Sequence, residues 1–280
     1  MYVKMFNSFR VILLLLILTS SSCTDTVKIN LPSTTPILAV DGSITDKTAA
    51  DTIFLYKTQN YFNNNPNLVI SGAVLRIDAD NGQTENLIEV QPGKYVISTI
   101  RAQKGVTYTL SINYLSQQYS ASTLCARSSP RIDSIRFLYL EKGLRVDTTG
   151  LYTVLYGQEL PGPGDHVRFV LFRNGKLANR AADLNILDDR LIDGKYLKKL
   201  QVLQRSPFKR GDVVELQALS LSQAYYDFYA DLRTELINGG IFSKTPVNVR
   251  TNIINLNTKG SQATGYFGSS LVTQISSLAY

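Results

Sequence analysis

The chain has 280 residues, a formal net charge of +7 and a hydrophobic fraction of 44%. This length is enough for one large or two ordinary folded domains with substantial cores. The Lys and Arg residues are scattered and no nucleic-acid-binding motif is present, so the positive charge does not indicate nucleic-acid binding.

The first residues have the layout of a secretory signal. Lys4 and Arg10 are followed by a short apolar run and by small or hydroxyl residues that lead to Cys23. The run is shorter than the roughly 18 apolar residues that a membrane-spanning helix needs. The residues before Cys23 resemble a bacterial lipobox, in which the cysteine is lipidated and becomes the mature N-terminus. We therefore expect residues 1–22 to be a lipoprotein signal peptide and residues 23–35 to be a lipidated tether. An ordinary signal peptide, with Cys23 incidental, is the alternative.

The second cysteine of the chain is Cys125. If Cys23 carries lipid, no partner is left for an intramolecular disulfide, so the stability of the exported protein must come from its core. We expect Cys125 to be a small buried hydrophobic residue and not a nucleophile.

Short strands separated by turn residues are typical of residues 36–127. The segment Val106–Tyr114 alternates apolar and polar residues, which predicts a strand with one buried face. Asn81 and Gly82 form a dipeptide that favours a hairpin turn. Together these signals predict an immunoglobulin-like β-sandwich over residues 36–127.

A second β-rich region, residues 131–280, follows a Pro-containing linker. It contains one predicted helix, residues 220–238, in which Ser220 and Gln223 have capping-box spacing. An apolar stripe recurs along this helix at Tyr225, Phe228, Tyr229, Leu232 and Leu236. We expect the stripe to pack against the second sandwich, with an aromatic ligand platform as the alternative. Residues 244–264 read as a long surface loop before a closing strand. The fold class expected is mainly β: two β-sandwich domains, the second with one packed α-helix.

No convincing catalytic constellation is present. His166 is the single histidine, and no G-x-S-x-G motif presents a serine beside it. One histidine and one free cysteine cannot complete a zinc site. There is neither a P-loop nor a dinucleotide-binding motif, so no cofactor is expected. We expect the protein not to be an enzyme.

One acidic segment offers two weaker interpretations. Carboxylate oxygens are the ligands that Ca²⁺ prefers, although the spacing here does not match an EF-hand loop. Two carboxylates held at a defined separation can also hydrolyse glycosides, so a hydrolase using Asp188, Asp189 and Asp193 is an alternative function. The calcium candidates are Asp183, Asp188, Asp189 and Asp193.

Several stretches, in order along the chain, together resemble one family. They include "CTDTVKINLP", "SGAVLRIDADNG", "GVTYTLSINYLSQQYSAST", "DDRLIDGKY", "FKRGDVVELQALSLSQAYYDFY" and "GYFG". Their order and spacing cover nearly the whole chain after Cys23. This pattern resembles the Bacteroidota lipoproteins grouped as domain of unknown function 4249.

The resemblance implies an outer-membrane lipoprotein, anchored through Cys23 and commonly encoded beside TonB-dependent receptors. An accessory role in nutrient capture or uptake follows, with such a receptor as partner. The family carries no established catalytic residues to transfer. Surface export in this phylum usually follows several acidic residues after the lipidated cysteine, and only Asp25 is close here. The cell surface is favoured, and the periplasmic face stays open. A structural or adhesive surface protein is a further alternative.

Four triplets resemble the acceptor pattern of O-glycosylation in this phylum, which is Asp, then Ser or Thr, then an aliphatic residue or Thr. The expected acceptors are Thr26, Thr52, Ser134 and Thr148.

Overall fold

Strands make up most of the structure. The computed structural model describes residues 35–59, 68–144, 146–178, 183–202, 204, 206–238, 248–257 and 259–280. The strands are β1 (Leu38–Thr45), β2 (Asp51–Lys57), β3 (Leu68–Val69), β4 (Val74–Ala79), β5 (Thr84–Asn86), β6 (Ile88–Gln91), β7 (Lys94–Ile97), β8 (Thr107–Tyr114), β9 (Gln117–Leu124), β10 (Arg131–Leu140), β11 (Gly150–Gln158), β12 (His166–Arg173), β13 (Lys176–Leu177), β14 (Asn185–Asp188), β15 (Tyr196–Gln201), β16 (Val213–Leu221), β17 (Ile254–Asn255), β18 (Ala263–Ser270) and β19 (Val272–Leu278). The helix α1 spans Gln223–Ile237. The mainly β class predicted from the sequence is confirmed.

The first sandwich consists of two sheets with the strand orders β18-β1-β2-β7-β6 and β17-β9-β8-β4-β5, and β3 pairs with β2. Alternation along the strands places one face of each sheet in a shared core. In β8, for example, Tyr108, Leu110 and Ile112 are buried, and the residues between them are only partly buried. The period of two predicted for this segment is therefore confirmed, and it follows from the pleat of the strand.

The chain returns to the first sandwich near its C-terminus. Strand β18 pairs with β1 in parallel from Leu38↔Ala263 to Thr45↔Ser270, and β17 pairs with β9. Phe267 is fully buried in the first core. Gly265, at φ +87°, is required because an ideal Cβ there would lie 1.9 Å from the Val40 carbonyl oxygen. The sequence predicts a surface loop over residues 244–264 and one closing strand in the second sandwich, whereas β17 and β18 belong to the first sandwich.

The second sandwich packs the sheet β10-β11-β15 against the sheet β13-β12-β16-β19, with β14 paired to β12. Its core includes Leu155, Phe169, Leu171 and Leu216. Both sandwiches lie within one compact unit, Pro36–Tyr280. Along the sequence, the first core extends to Cys125 and the second begins at Ile132, while Ile253, Ala263 and Phe267 belong to the first core again.

Helix α1 begins later than the capping-box spacing predicts. Its N-cap is Ser222, whose Oγ accepts a hydrogen bond from the Tyr225 backbone N at 3.3 Å. Ser220 belongs to β16, and its Oγ accepts a hydrogen bond from the Leu271 backbone N at 2.9 Å. Because β16 stays paired with β12 up to Leu221, the helix cannot start earlier. It packs against β12, β14 and β16 of the second sandwich, as expected, and also against β18. No helix in the described ranges is long and apolar enough to cross a membrane.

Candidate functional site

An aromatic cluster joins α1 to the first sandwich through Tyr225, Phe228, Tyr229 and Tyr266. The Tyr225 and Tyr266 rings are stacked with centroids 4.8 Å apart and an interplanar angle of 5°. Phe228 lies 4.8 Å from Tyr266, and the hydroxyls of Tyr225 and Tyr229 are 2.9 Å apart. Gly268 leaves room for this arrangement, since an ideal Cβ there would lie 2.1 Å from Tyr225 Cε1. The helical stripe is therefore partly core, as expected.

Beside the aromatic cluster lies an open cleft of about 490 Å³. Ligand sites typically have volumes of about 300–1,000 Å³ and mostly apolar walls with a few polar groups. Helix α1 contributes Phe228, Leu232 and Leu236 to one wall, and the outer face of the first sandwich contributes Tyr56 and Tyr266. Leu236 is 41% exposed, so the outer half of the stripe faces the cleft rather than the core. The outer half of the stripe is therefore accessible to a ligand, and the ligand-platform alternative stays a prediction.

Arg168 is the basic group of the cleft. It lies on β12 between Val167 and Phe169, which are buried in the second core, so alternation turns it to the opposite face. Its guanidinium carbon lies 4.5 Å from the centroid of the Tyr229 ring, and its Nη1 donates a hydrogen bond to the Tyr229 hydroxyl at 2.5 Å. These two contacts hold the guanidinium in one orientation.

Asp41 is the acidic group of the cleft. It lies on β1, opposite Tyr266 of β18, and its side chain is exposed. Desolvation by the surrounding walls raises the pKa of Asp41, and the positive charge of Arg168 opposes this rise. Burial raises the pKa of the Tyr56 hydroxyl, and the Asp41 carboxylate raises it further. No local pattern in the sequence indicates Asp41 or Arg168, because only the fold brings β1 and β12 to one cleft.

A second group of polar residues, the acidic cluster, consists of Glu159, Asp165 and Asp189. All three are buried, and oxygen atoms from the three lie within 4.8 Å of one another. The Arg127 guanidinium forms a bidentate ion pair with Asp165, with Nη2 at 2.8 Å from Oδ2. The backbone N of Asp165 donates to Asp189 Oδ2 at 2.8 Å, and that of Gly194 donates to Glu159 Oε2 at 2.7 Å.

The acidic cluster borders a small cavity of about 20 Å³. Desolvation raises the pKa of Glu159, and the nearby Asp165 charge adds to this effect. The ion pair joins the linker at Arg127 to the loop before β12, and the hydrogen bond from Asp165 to Asp189 joins that loop to the segment after β14. This arrangement serves the packing of the second sandwich.

The structure does not bring the four predicted calcium candidates into one group. Among the described residues, the acidic cluster is the one set of three metal-type ligands, and it shares only Asp189 with the prediction. Asp188 pairs with Arg190 at 2.8 Å and accepts a hydrogen bond from Tyr226, and hydrogen bonding to Arg190 lowers its pKa to about 2.

The other two candidates lie elsewhere. Asp193 accepts a hydrogen bond from the Gly162 backbone N at 2.8 Å, and Asp183 is buried outside the acidic cluster. Sequence reasoning missed Glu159 and Asp165. Asp165 follows the Pro-Gly loop in "PGPGD", and the sequence offers no further signal for the pair.

Two further residues from the sequence analysis are buried. The sequence favours a surface position for His166 at the start of a strand, because it follows the Pro-Gly loop. His166 does begin β12, but it is buried against the Tyr226 ring, with the ring centroids 4.6 Å apart. Cys125 is buried, and burial raises the pKa of its thiol to about 11. The thiol is therefore protonated at neutral pH, which makes it a poor nucleophile.

The predicted modification sites differ in exposure. Cys23 and Thr26 lie outside the described residues. Thr52 and Ser134 are half-buried within β2 and β10, whereas Thr148 is exposed in a loop.

The fold and the cleft define a mainly β protein of two sandwiches with a concave aromatic site beside its single described helix. The family described as "Domain of unknown function (DUF4249)" matches residues 24–276. The chain belongs to this family, and the resemblance seen in the sequence is confirmed. No curated protein matches the chain.

Two solved structures show distant likeness. A two fibronectin type-III domain segment from chicken tenascin is 15% identical, and the match covers 67% of this chain and 92% of that chain with a TM-score of 0.22. The BSP domain of a biofilm associated protein is 12% identical, with 65% and 27% covered and a TM-score of 0.22. At this TM-score neither adds to the architecture described above.

Proposed function

We propose that the protein is a lipid-anchored, non-enzymatic binding protein of the outer membrane that acts with a TonB-dependent receptor in nutrient capture or uptake. The observation that carries the binding function is the cleft beside α1. It is concave and largely apolar, and its described lining presents one acid, Asp41, and one base, Arg168. A site of this size and composition is typical of small-molecule binding.

The membrane anchor rests on the N-terminal sequence. A lipidated Cys23 would carry more than one acyl chain, and each buried methylene contributes about 0.8 kcal/mol to attachment. The family resemblance supports the outer membrane, favours its surface, and supports a receptor partner. The region from Cys23 to Thr35 would tether the first sandwich, which begins with β1 at Leu38.

The anchor is tested by replacing Cys23 with alanine in the producing bacterium. We expect Cys23→Ala to abolish fatty-acid labelling and to release the protein from the membrane fraction. Cys125→Ala is the matched control, because it removes a buried thiol and leaves the lipobox intact. Labelling that persists in Cys23→Ala would overturn the anchor.

The partner is tested by affinity purification from native membranes. We expect the wild-type protein to recover a TonB-dependent receptor. Recovery of no outer-membrane receptor from mildly solubilised membranes would contradict the partner.

The binding site is tested by filling the cleft. Leu232 lines it, so Leu232→Arg places a long charged side chain in the apolar wall, whereas Ala224→Arg adds the same side chain at an exposed position of α1 outside the cleft. We expect native mass spectrometry to show small molecules from a nutrient extract bound to the wild type and to Ala224→Arg, but not to Leu232→Arg. Equal retention by both variants would move the binding site elsewhere.

A further inference from the structure

We propose that the cleft binds a zwitterionic ligand with an apolar body, of the class of short apolar peptides, with the ligand carboxylate on Arg168 and its ammonium group on Asp41. This inference rests on the proposed function of the cleft as a ligand site and specifies what that site recognises. Three features of the described residues carry it: an apolar wall, a fixed guanidinium, and a carboxylate without a partner.

The apolar wall is the part of the helical stripe that stays accessible at the edge of the core. Tyr225 and Tyr229 are buried, whereas Phe228 and Leu232 are half-buried and Leu236 is 41% exposed. These three side chains line one side of the cleft. A ligand that covers them removes apolar surface from water, which is the main source of binding free energy for an apolar side chain.

Arg168 is prepared for a carboxylate. The Tyr229 ring and hydroxyl fix the guanidinium plane but use only one of its five N–H groups within the described part of the chain. The planar fork of a guanidinium matches the two oxygens of a carboxylate, and a fork that is already oriented loses little rotamer freedom on binding.

Asp41 lacks a partner. Within the described ranges, its carboxylate accepts no hydrogen bond, and no ion pair within 4.0 Å joins it to Arg168. The two groups nevertheless lie close enough for the Arg168 charge to act on Asp41. An ammonium group placed beside this carboxylate would form the ion pair that it lacks among the described residues. One zwitterion can therefore satisfy both groups at once.

The same chemistry argues against a saccharide. Besides Asp41 and Arg168, the described lining offers neutral hydroxyls, those of Tyr56, Thr58, Thr264 and Tyr266, while the hydroxyls of Tyr225 and Tyr229 are bonded to each other. A sugar would bring many hydroxyls into the cleft and leave several without hydrogen bonds, which is costly once water is removed. A dipeptide with two apolar side chains brings one peptide group and two charged termini, and the termini match Arg168 and Asp41.

The experiment is an isothermal titration of the purified full-length protein with three forms of one dipeptide. The probes are leucyl-phenylalanine, its N-acetyl form and its C-terminal amide. We expect Asp41→Asn to weaken binding of leucyl-phenylalanine and of the amide about 10- to 100-fold, which is the effect on affinity of losing one hydrogen bond to a charged group. Binding of the N-acetyl form is expected to be unchanged by Asp41→Asn, because that form carries no ammonium group.

A change at Arg168 is expected to weaken binding only of the two forms that carry a free carboxylate. Arg168→Gln should weaken leucyl-phenylalanine and the N-acetyl form and leave the amide unaffected. Asp147→Asn is the matched control, since Asp147 is an exposed carboxylate outside the cleft. Asp41→Asn removes no hydrogen bond of the described fold, so it reports on binding even if Arg168→Gln loosens the packing of α1.

Two results would overturn the inference. One is the absence of binding by leucyl-phenylalanine, and the other is equal weakening of all three forms by each variant. If maltose binds to the wild type and not to Leu232→Arg, the proposed ligand class is wrong, but the proposed binding function of the cleft still stands. Failure of the proposed binding function is a separate result, in which Leu232→Arg and Ala224→Arg retain small molecules equally.

Discussion

Replacing Gly268 with alanine tests whether the aromatic cluster is as tightly built as its geometry indicates. An ideal Cβ at residue 268 would lie 2.1 Å from Cε1 and 2.2 Å from Cζ of Tyr225. Since carbon atoms normally approach to roughly 3.5–4.0 Å, the ring must move by about 1.5 Å. Tyr225 is stacked on Tyr266 and hydrogen-bonded to Tyr229, so it has little freedom to move.

Overpacking a core typically costs about 1–3 kcal/mol, and the fixed ring places Gly268→Ala near the upper end, at about 3 kcal/mol. For a domain of this size each kcal/mol lowers Tm by about 2–4 °C, so we expect a decrease of about 6–12 °C in thermal unfolding followed by circular dichroism. Gly143→Ala is the control, because its Cβ would meet no atom closer than 3.9 Å. An unchanged Tm for Gly268→Ala would refute the reasoning. We also expect Gly268→Ala to cost less stability when Tyr225→Leu has already removed the ring. A double variant whose loss of stability equals the sum of the two single losses would contradict this.

Three further predictions concern charge and modification. Because folding raises the pKa of Glu159, its ionised carboxylate destabilises the fold at neutral pH, and Glu159→Gln should raise Tm at pH 7. The gain in Tm should vanish at a pH low enough to protonate Glu159 in the wild type, and a lower Tm of the variant at pH 7 would contradict this prediction. The pKa of Asp188 is lowered to about 2, so its ionised carboxylate stabilises the fold. Asp188→Asn should therefore lower the free energy of unfolding by about 1 kcal/mol above pH 4, and urea unfolding should show this difference disappearing as the pH falls toward 2. Thr148 is the exposed acceptor among the described glycosylation triplets, so Thr148→Ala should remove a glycan mass from the exported protein, whereas an unshifted wild-type mass would exclude glycosylation.

Local patterns predicted the elements well and their long-range partners poorly. The alternation of Val106–Tyr114 identifies β8, and the apolar stripe identifies α1, because each signal lies within a few residues. The start of α1 was misplaced, since a serine suited to an N-cap can equally serve a strand, and Ser220 is held in β16 by its pairing. The parallel pairing of β18 with β1 joins residues more than 200 positions apart and leaves no periodic trace in either segment.

The candidate site can likewise be predicted only in part from local patterns. The stripe pointed to the apolar wall of the cleft, because its residues share one helix. Asp41 and Arg168 each occupy an outward position of a strand, where a charged residue ordinarily marks a solvated face. Their meeting depends on two distant strands, which no pattern within either segment encodes.

The cleft exists only because both sandwiches contribute to it. Asp41 and Tyr56 come from the first sandwich, Arg168 comes from the second, and the apolar wall comes from α1. Strand β18 connects these parts, since it pairs with β1 on one side and stacks Tyr266 on the aromatic cluster on the other. A ligand held between Asp41 and Arg168 would therefore contact both sandwiches at once. Its binding free energy would add to the stability of their association, because a ligand that binds only the assembled state stabilises that state.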